Sequence, residues 1–334
     1  MSRRFPRGLV IGKFDPFHRG HGHLVAAAES RCERVTAIVC ATTGDSVPAP
    51  VRAEWLSALH PALEVLVADQ DALGLDDDDS EGWARATVDL LGSTPDVVFT
   101  SEAYGDAYAG FLGCLHVLVD RERRTVPVSG SAIRADPLGH LEFLEPAVRA
   151  YYVRRVCLIG AESSGKTTLA SALAEAFGTV WAPELGHLYQ ALGRDDPHGP
   201  WESREFVYIA RLHAWLEDFQ AALANRVLFC DTDLHTTALW HEAFLDAPVP
   251  AEVTQLAQTR SYDLYLLCDL DIPFRQDGYN LREVGRRGWM QARYRRQLES
   301  SPTPWVSVSG PLAHRVATAS RAITEQLGVE LLSG

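Results

Sequence analysis

The stretch Gly160–Thr168 constrains this chain more than any other. It reads GAESSGKTT and satisfies the pattern G-x-x-x-x-G-K-[ST]. The apolar run VCLI precedes it and the helix-forming run TTLASALAEAF follows it, so the local plan is strand, loop, helix. In such a loop, successive backbone N–H groups of Ser163, Ser164 and Gly165 surround a phosphate at a helix N-terminus, where the helix dipole also favours an anion. Gly160 and Gly165 let the main chain approach closely. Lys166 is expected to reach the β- and γ-phosphates, with the Thr167 hydroxyl in the Mg²⁺ shell and Thr168 beside it. A buried strand that ends at a phosphate loop belongs to an α/β sheet, which excludes all-helical and all-β architectures for this half.

A second strand–glycine loop–helix opens the chain. GLVIG reads as a strand, and KFDPFHRGHG leads into HLVAAAESRC, where Leu24, Ala28 and Cys32 share one helical face. His18 and His21 could form a zinc pair, but no third ligand shows comparable spacing. The favoured reading is another phosphate site. Gly20 and His21 open a helix, His18 and His21 donate hydrogen bonds to a phosphate, and Lys13 adds a fixed charge. Farther along, SGSAIR offers Ser129, Gly130, Ser131 and Arg134 at another helix start. Of 31 cationic residues only Lys13 and Lys166 are lysine. Lysine is a compact point charge on a thin stem and arginine a broad fork, so the two lysines mark places where a fork does not fit.

The first half reads β-α-β-α-β-α-β-β, and a boundary falls near residues 143–155. The second half again alternates, with strands at TVWAP, RVLFCDTD and YDLYLLCD and helices near 202–224, 252–259 and the C-terminus. The expected architecture is α/β, two doubly wound parallel-sheet domains, residues 1–150 and 151–334. The acidic stretch 69–82 reads as a solvated loop. Asp231 and Asp233 end a strand, which suits Mg²⁺ support or substrate hydroxyl contacts. Glu184 ends another, as a base for an acceptor hydroxyl or as an ordinary cap. Arg282, Arg286 and Arg287 compose either a phosphate-closing lid or a solvated basic face. The net charge of −13 gives no general attraction for nucleic acid or anionic membranes. No apolar run approaches the ~20 residues that span a bilayer, and the N-terminus has no apolar signal core. Six cysteines without a CxxC pair read as reduced packing residues of a cytoplasmic protein.

GKFDPFHRGH is similar to the GxFxPxHxGH motif of the nucleotidyltransferase superfamily, and SGSAIR resembles its second signature. Together with DVVFTSEAYGDAYA, the loop GAESSGKTT, CDTDLHTT and DIPFRQDG, nearly the whole chain resembles the NadR family. That family joins nicotinamide-nucleotide adenylyltransferase to ribosylnicotinamide kinase. The resemblance implies a Rossmann-like nucleotidyltransferase domain followed by a P-loop kinase domain. The second would phosphorylate nicotinamide riboside with ATP. The first would join the resulting nicotinamide mononucleotide to AMP, giving NAD and pyrophosphate. It also implies that Gly12, Lys13, Phe14, His18, Gly20, His21, Ser129, Gly130, Ser131 and Arg134 hold the triphosphate, with Tyr104 and Asp106 in the nucleotide pocket. Trp83 is either a stacking surface for the nicotinamide ring or a core residue. Asp233 and Asp277 are candidate substrate contacts, and Arg282 and Arg286 candidate ATP contacts. Ser131 replaces the usual Thr, and His187 stands where Arg is expected near Glu184. Only seven residues precede the first expected strand, so no operator-binding segment is expected. Two other readings are a P-loop kinase for a different nucleoside and a nucleotide-sensing regulator without turnover. Assembly into a homo-oligomer is left open.

Overall fold

The structure, a computed structural model, describes residues 4–196, 198–274 and 284–332. The chain divides into two compact units, Met1–Arg149 and Ala150–Gly334. In the first, the elements run β1 (Phe5–Gly12), α1 (Arg19–Glu29), β2 (Cys32–Ala41), α2 (Ala49–Leu59), β3 (Glu64–Asp69), α3 (Gln70–Leu73) and α4 (Ser80–Leu91). They continue with β4 (Val97–Thr100), α5 (Gly105–Leu112), β5 (Leu115–Leu118), α6 (Gly130–Ala135), a 3₁₀ turn and α7 (Pro146–Tyr152). The sheet has five strands in the order β3-β2-β1-β4-β5, and every pairing is parallel. Parallel strands need helical crossovers on both faces, so central strands read as continuous apolar runs. Leu9, Val10, Val97, Val98 and Phe99 are accordingly fully buried.

The second unit contains β6 (Arg154–Ile159), α8 (Lys166–Phe177), β7 (Trp181–Ala182), α9 (Leu185–Leu192), α10 (Ser203–Leu223), β8 (Val227–Asp231) and α11 (Leu234–Phe244). Then come α12 (Ala251–Gln258), β9 (Leu264–Cys268), α13 (Val284–Glu299), β10 (Trp305–Val308) and α14 (Leu312–Leu327). Its sheet is also five-stranded, in the order β10-β9-β6-β8-β7, and parallel throughout. In both units the first strand is central, and chain order reverses beside it. A crevice therefore opens at the carboxyl ends of the strands, where α/β sheets bind ligands. All six cysteines are free thiols.

Two α/β parallel sheets are what the alternation of elements predicts, but the details differ. The strands at residues 97–100 and 115–118 are not directly consecutive, because α5 crosses between them and buries Tyr108, Ala109 and Leu112 on one face. In the acidic stretch, Asp69 caps α3 and Asp79 caps α4 through its side chain, so the aspartates are turn and cap residues as well as solvated ones. Edge strand β10 has only four residues, WVSV, one of them buried, and so carries little apolar signal.

Gly105 begins α5 against a tight contact. A Cβ there would lie 2.2 Å from His116 Nε2 and 2.3 Å from Thr100 Oγ1. Those two side chains are already joined at 2.9 Å. Gly105→Ala is expected to destabilise the first unit by about 1–3 kcal/mol through overpacking. Denaturant unfolding of the variant against the parent chain checks this.

Candidate active sites

In the first unit the loop after β1 is pinned by buried charge. Arg52, fully buried on α2, donates to the carbonyls of Lys13 and Cys40 and to the Asp45 carboxylate. Asp15 accepts from the Ser46 backbone and hydroxyl at 2.8 and 2.7 Å and from the Val47 N–H at 3.0 Å. Arg134 on α6 donates to the Asp15 carbonyl. Gly130 lies so close that a Cβ would approach that carbonyl to 3.2 Å. The starts of α1 and α6 are thereby held together. His18 caps α1 by accepting from the Gly20 N–H at 3.1 Å through Nδ1. A neutral His18 then carries its proton on Nε2, ready to donate. The His18 and His21 rings stack with centroids 3.8 Å apart, and the Phe14 ring meets His21 edge-on at 5.0 Å.

A cleft of about 350 Å³ opens here, with Gly12, Lys13, Phe14, His21, Trp83, Tyr104, Arg123, Ser129, Gly130, Ser131 and Arg134 among its lining residues. Burial, with Arg123 and Arg134 adding to it, pulls the His18 imidazole down to about 4. Burial, His18 and Arg123 hold His21 well below its ordinary value, against the backbone hydrogen bond at Pro16. Both rings are therefore neutral near pH 7, and an anion would favour protonating them. Lys13 reaches Asp77 at 2.8 Å. Asp77 also accepts from Gln70, and the Lys13 hydrogen bond leads in holding its carboxyl below the usual range. Tyr104 donates to the Ile11 carbonyl at 3.2 Å. Trp83 donates to the Asp76 carbonyl at 3.1 Å and is both buried and cleft-lining. Asp106 instead accepts from His116 at 2.6 Å and does not line the cleft.

In the second unit the loop after β6 takes a left-handed path. Gly160 has φ 150° and Gly165 φ 86°. A Cβ would meet the Cys268 carbonyl at 2.7 Å and the Ile272 side chain at 2.8 Å, respectively. The loop carbonyls are tied outward. Arg287 donates to the carbonyls of Glu162 and Ser163, buried Arg315 to that of Ser164 at 2.8 Å, and Lys166 to that of Gly160 at 3.1 Å. Gln291 bridges the Cys268 carbonyl and the Ala161 N–H. Thr167 donates to Asp231 at 2.5 Å. The other Asp231 oxygen is buried without a partner among the described residues, and burial pushes this carboxyl up to about 6 against the pull of Lys166. Burial also works against the Lys166 charge, but Glu184 and Asp231 outweigh it and raise the ammonium above its ordinary value. Glu184 stands 3.9 Å from Lys166.

Glu184 also lines a second hollow, walled by Trp201, Phe206, Trp240 and Phe244 and reached by His213 and Thr232. Trp201 and Trp240 stack on Phe244 with centroids 5.6 and 5.2 Å away. Thr232 holds φ 82°, rare for a β-branched residue, and its hydroxyl is buried without a partner among the described residues. Asp233 caps α11 by accepting from the Thr236 backbone and hydroxyl, and takes a third hydrogen bond from Tyr265. It does not line the hollow. Thr168 sits exposed on α8. Asp277, Arg282 and the side chain of Arg286 lie outside the described residues.

Sequence reasoning missed Arg52, Arg123, Gln291, Arg315 and the aromatic hollow. In a chain with 29 arginines among 31 cationic residues, an isolated Arg carries no signal. The crowding of aromatics in residues 201–206 and 240–244 was the available clue to the hollow.

Two parallel α/β units, each with a glycine-containing loop leading from its first strand into a helix, define a tandem α/β protein whose second unit carries a P-loop. The sequence profile of a family described as an AAA domain matches residues 155–315. The trifunctional NAD biosynthesis/regulator protein NadR of Escherichia coli is 31% identical over 311 residues, 85% of this chain and 75% of the relative. Its counterpart in Salmonella typhimurium is 30% identical over 311 residues, with the same coverage of 85% and 75%. A crystal structure of a NadR protein in complex with NAD and AMP-PNP has the same fold, at TM-score 0.73 and 18% identity, over 100% of this chain and 99% of that one. A second NadR structure, in complex with NR, gives 0.72 and 20% over 100% of both chains. The chain belongs to the NadR family.

The depressed imidazoles set an acid limit on the first unit. Because the folded pKa lies below the ordinary 6.5, the unfolded chain takes up more protons as pH falls through that range. The contribution to stability is present above pH 6.5 and is lost toward about 4. Thermal unfolding of the parent and of His18→Gln is expected to diverge below pH 6.5, with the variant less acid-sensitive. Parallel curves from pH 7.5 to 4.5 would refute the assignment.

Proposed function

We propose that the chain is a two-activity enzyme of NAD salvage, with ribosylnicotinamide kinase in the second unit and nicotinamide-nucleotide adenylyltransferase in the first. The observation that carries the proposal is Glu184. One carboxylate stands 3.9 Å from the phosphate-loop Lys166 and also lines a hollow walled by Trp201, Phe206, Trp240 and Phe244. Family membership adds that the relatives are named for NAD biosynthesis and that neighbouring NadR structures hold NAD, AMP-PNP and NR.

In the kinase reaction the riboside ring packs between the aromatic walls and directs its primary hydroxyl at Glu184. Glu184 removes the hydroxyl proton as the oxygen attacks the γ-phosphorus, and ADP leaves. The loop N–H groups and Lys166 hold the phosphates, and catalysis is mainly positioning plus charge stabilisation. The unpartnered Asp231 oxygen and the adjacent Thr167 hydroxyl suit a hard cation that keeps most of its ligands as water and phosphate. Mg²⁺ held there would neutralise charge on the transferring phosphoryl group.

In the adenylyl transfer an oxygen of the mononucleotide phosphate attacks the α-phosphorus of ATP and pyrophosphate leaves. No protein nucleophile takes part. His18 Nε2–H, Arg134, Arg123 and Lys13 meet the growing negative charge, with the cleft-lining His21 ring stacked against His18. Trp83 and Tyr104 border the same cleft and supply flat surface for a base or nicotinamide ring.

The test is product analysis by mass after incubation with nicotinamide riboside, ATP and Mg²⁺. Lys166→Ala is expected to lower riboside phosphorylation by roughly 10²–10³-fold while leaving NAD formation from the mononucleotide intact. His18→Ala is expected to do the reverse. Loss of both activities from either variant in folded protein would break the division of labour.

A further inference from the structure

Three side chains beside the first cleft form a hydrogen-bonded row that the adenylyl transfer leaves unused. Thr100 ends β4, His116 sits on the edge strand β5, and Asp106 lies in the first turn of α5. His116 Nδ1 donates to the Asp106 carboxylate at 2.6 Å, and its Nε2 stands 2.9 Å from the Thr100 hydroxyl. That hydroxyl also reaches the Glu102 carbonyl at 3.1 Å. A carboxylate at Nδ1 keeps the ring proton there, so the neutral ring presents Nε2 to Thr100 as an acceptor. Carboxylate, imidazole and hydroxyl are the members of a nucleophilic triad, but Thr100 is 1% exposed and none of the three lines the cleft. What the row does touch is the turn at residues 101–104, from which Ser101, Glu102 and Tyr104 line the cleft. Gly105, between Tyr104 and Asp106, packs so closely that a Cβ would overlap both His116 and Thr100.

Resting on the adenylyltransferase reading above, we propose that Asp106 is a positioning residue for the mononucleotide reaction. Through His116 and Thr100 it fixes the turn that carries Tyr104 into the cleft. The turn follows β4, and it is tied to both strands that flank β4. On one side the Tyr104 hydroxyl donates to the Ile11 carbonyl on β1. On the other, Asp106 takes the His116 proton on β5. Tyr104 immediately precedes α5, so the direction of its ring follows the seating of that helix's first turn. With the β5 tie gone, the ring is held from one side alone, and a ligand must order it at a cost in affinity. The Asp106 side chain is 87% exposed, so its bond to His116 adds little to folding stability. Its contribution is directional: it sets the tautomer of His116 and, through the Thr100 hydroxyl, the backbone of Glu102.

The experiment measures NAD formation from nicotinamide mononucleotide, ATP and Mg²⁺ by the full chain, with each substrate varied in turn. The variants are Asp106→Ala, Asp106→Asn, Tyr104→Ala and the Asp106→Ala/Tyr104→Ala pair, with thermal unfolding as the folding control. Tyr104→Ala is expected to raise the KM of the substrate whose ring it faces by roughly 3–10-fold. Asp106→Ala should raise the same KM by roughly 3–5-fold, with kcat and melting temperature little changed. Asp106→Asn, whose side-chain oxygen still accepts from Nδ1, should stay close to the parent. In the paired variant, Asp106→Ala should add nothing to Tyr104→Ala, because it acts through that ring. A merely structural role would instead lower kcat, and would do so in either background. If Tyr104→Ala does not fold, the contrast between Asp106→Ala and Asp106→Asn carries the decision. A KM unmoved in folded Asp106→Ala or Tyr104→Ala, a loss confined to kcat, or independent effects in the pair overturns the assignment of Asp106 and leaves the adenylyltransferase reading standing. No NAD from a folded parent chain overturns that reading and this inference with it.

Discussion

Everything in the second unit's site depends on which way the peptide groups of one loop face. A phosphate loop works only when its N–H groups point inward, which leaves the carbonyls pointing out with nothing in water-poor surroundings to satisfy them. Arg287, Arg315 and Lys166 supply that satisfaction, taking the carbonyls of Glu162, Ser163, Ser164 and Gly160. Gln291 pins the neighbouring N–H of Ala161. Arg287 and Gln291 lie on α13 and Arg315 on α14, so the far end of the chain holds a turn that begins at Gly160. The price of the left-handed path at Gly160 and Gly165 is met by glycine, and the rest by these cations.

The first unit solves the same problem with different residues. Arg52 and Arg134 take the carbonyls of Lys13 and Asp15, while the Asp15 carboxylate gathers three donors from residues 46 and 47. The strands deliver both loops to a sheet crevice, but arginines donating to loop carbonyls set their shape, with Arg52 and Arg315 fully buried. Glu184 then acquires its proposed role from the sheet: β7 ends beside the strand that carries Asp231, which brings the carboxylate to the phosphate loop.

Much of this was legible in the sequence. Continuous apolar strands, helix-forming crossovers and two glycine loops specify parallel α/β sheets, because each signal is local. The starts of α1, α6 and α8, with His18, Ser129 and Lys166, could be read for the same reason. Asp106 could not: its partner His116 lies ten residues away on a strand reached only after α5, and α5 itself was hidden in a segment rich in glycine and aromatics. Asp233 has the sequence context of a metal or substrate carboxylate, yet its side chain closes a helix end. Caps and ligands use the same residue types, and only the tertiary partners separate them. The aromatic hollow combines α9, α10 and α11, so no single stretch of sequence contains it.

The Lys13–Asp77 contact has its own consequence for how a ligand enters the first unit. An ammonium already engaged by a carboxylate does not wait bare in the cleft. An incoming phosphate competes for a bond instead of creating one, and the displaced Asp77 keeps Gln70 as its remaining neighbour. Both partners are solvent-exposed, so water and salt weaken this pair and the ammonium is readily exchanged between anions.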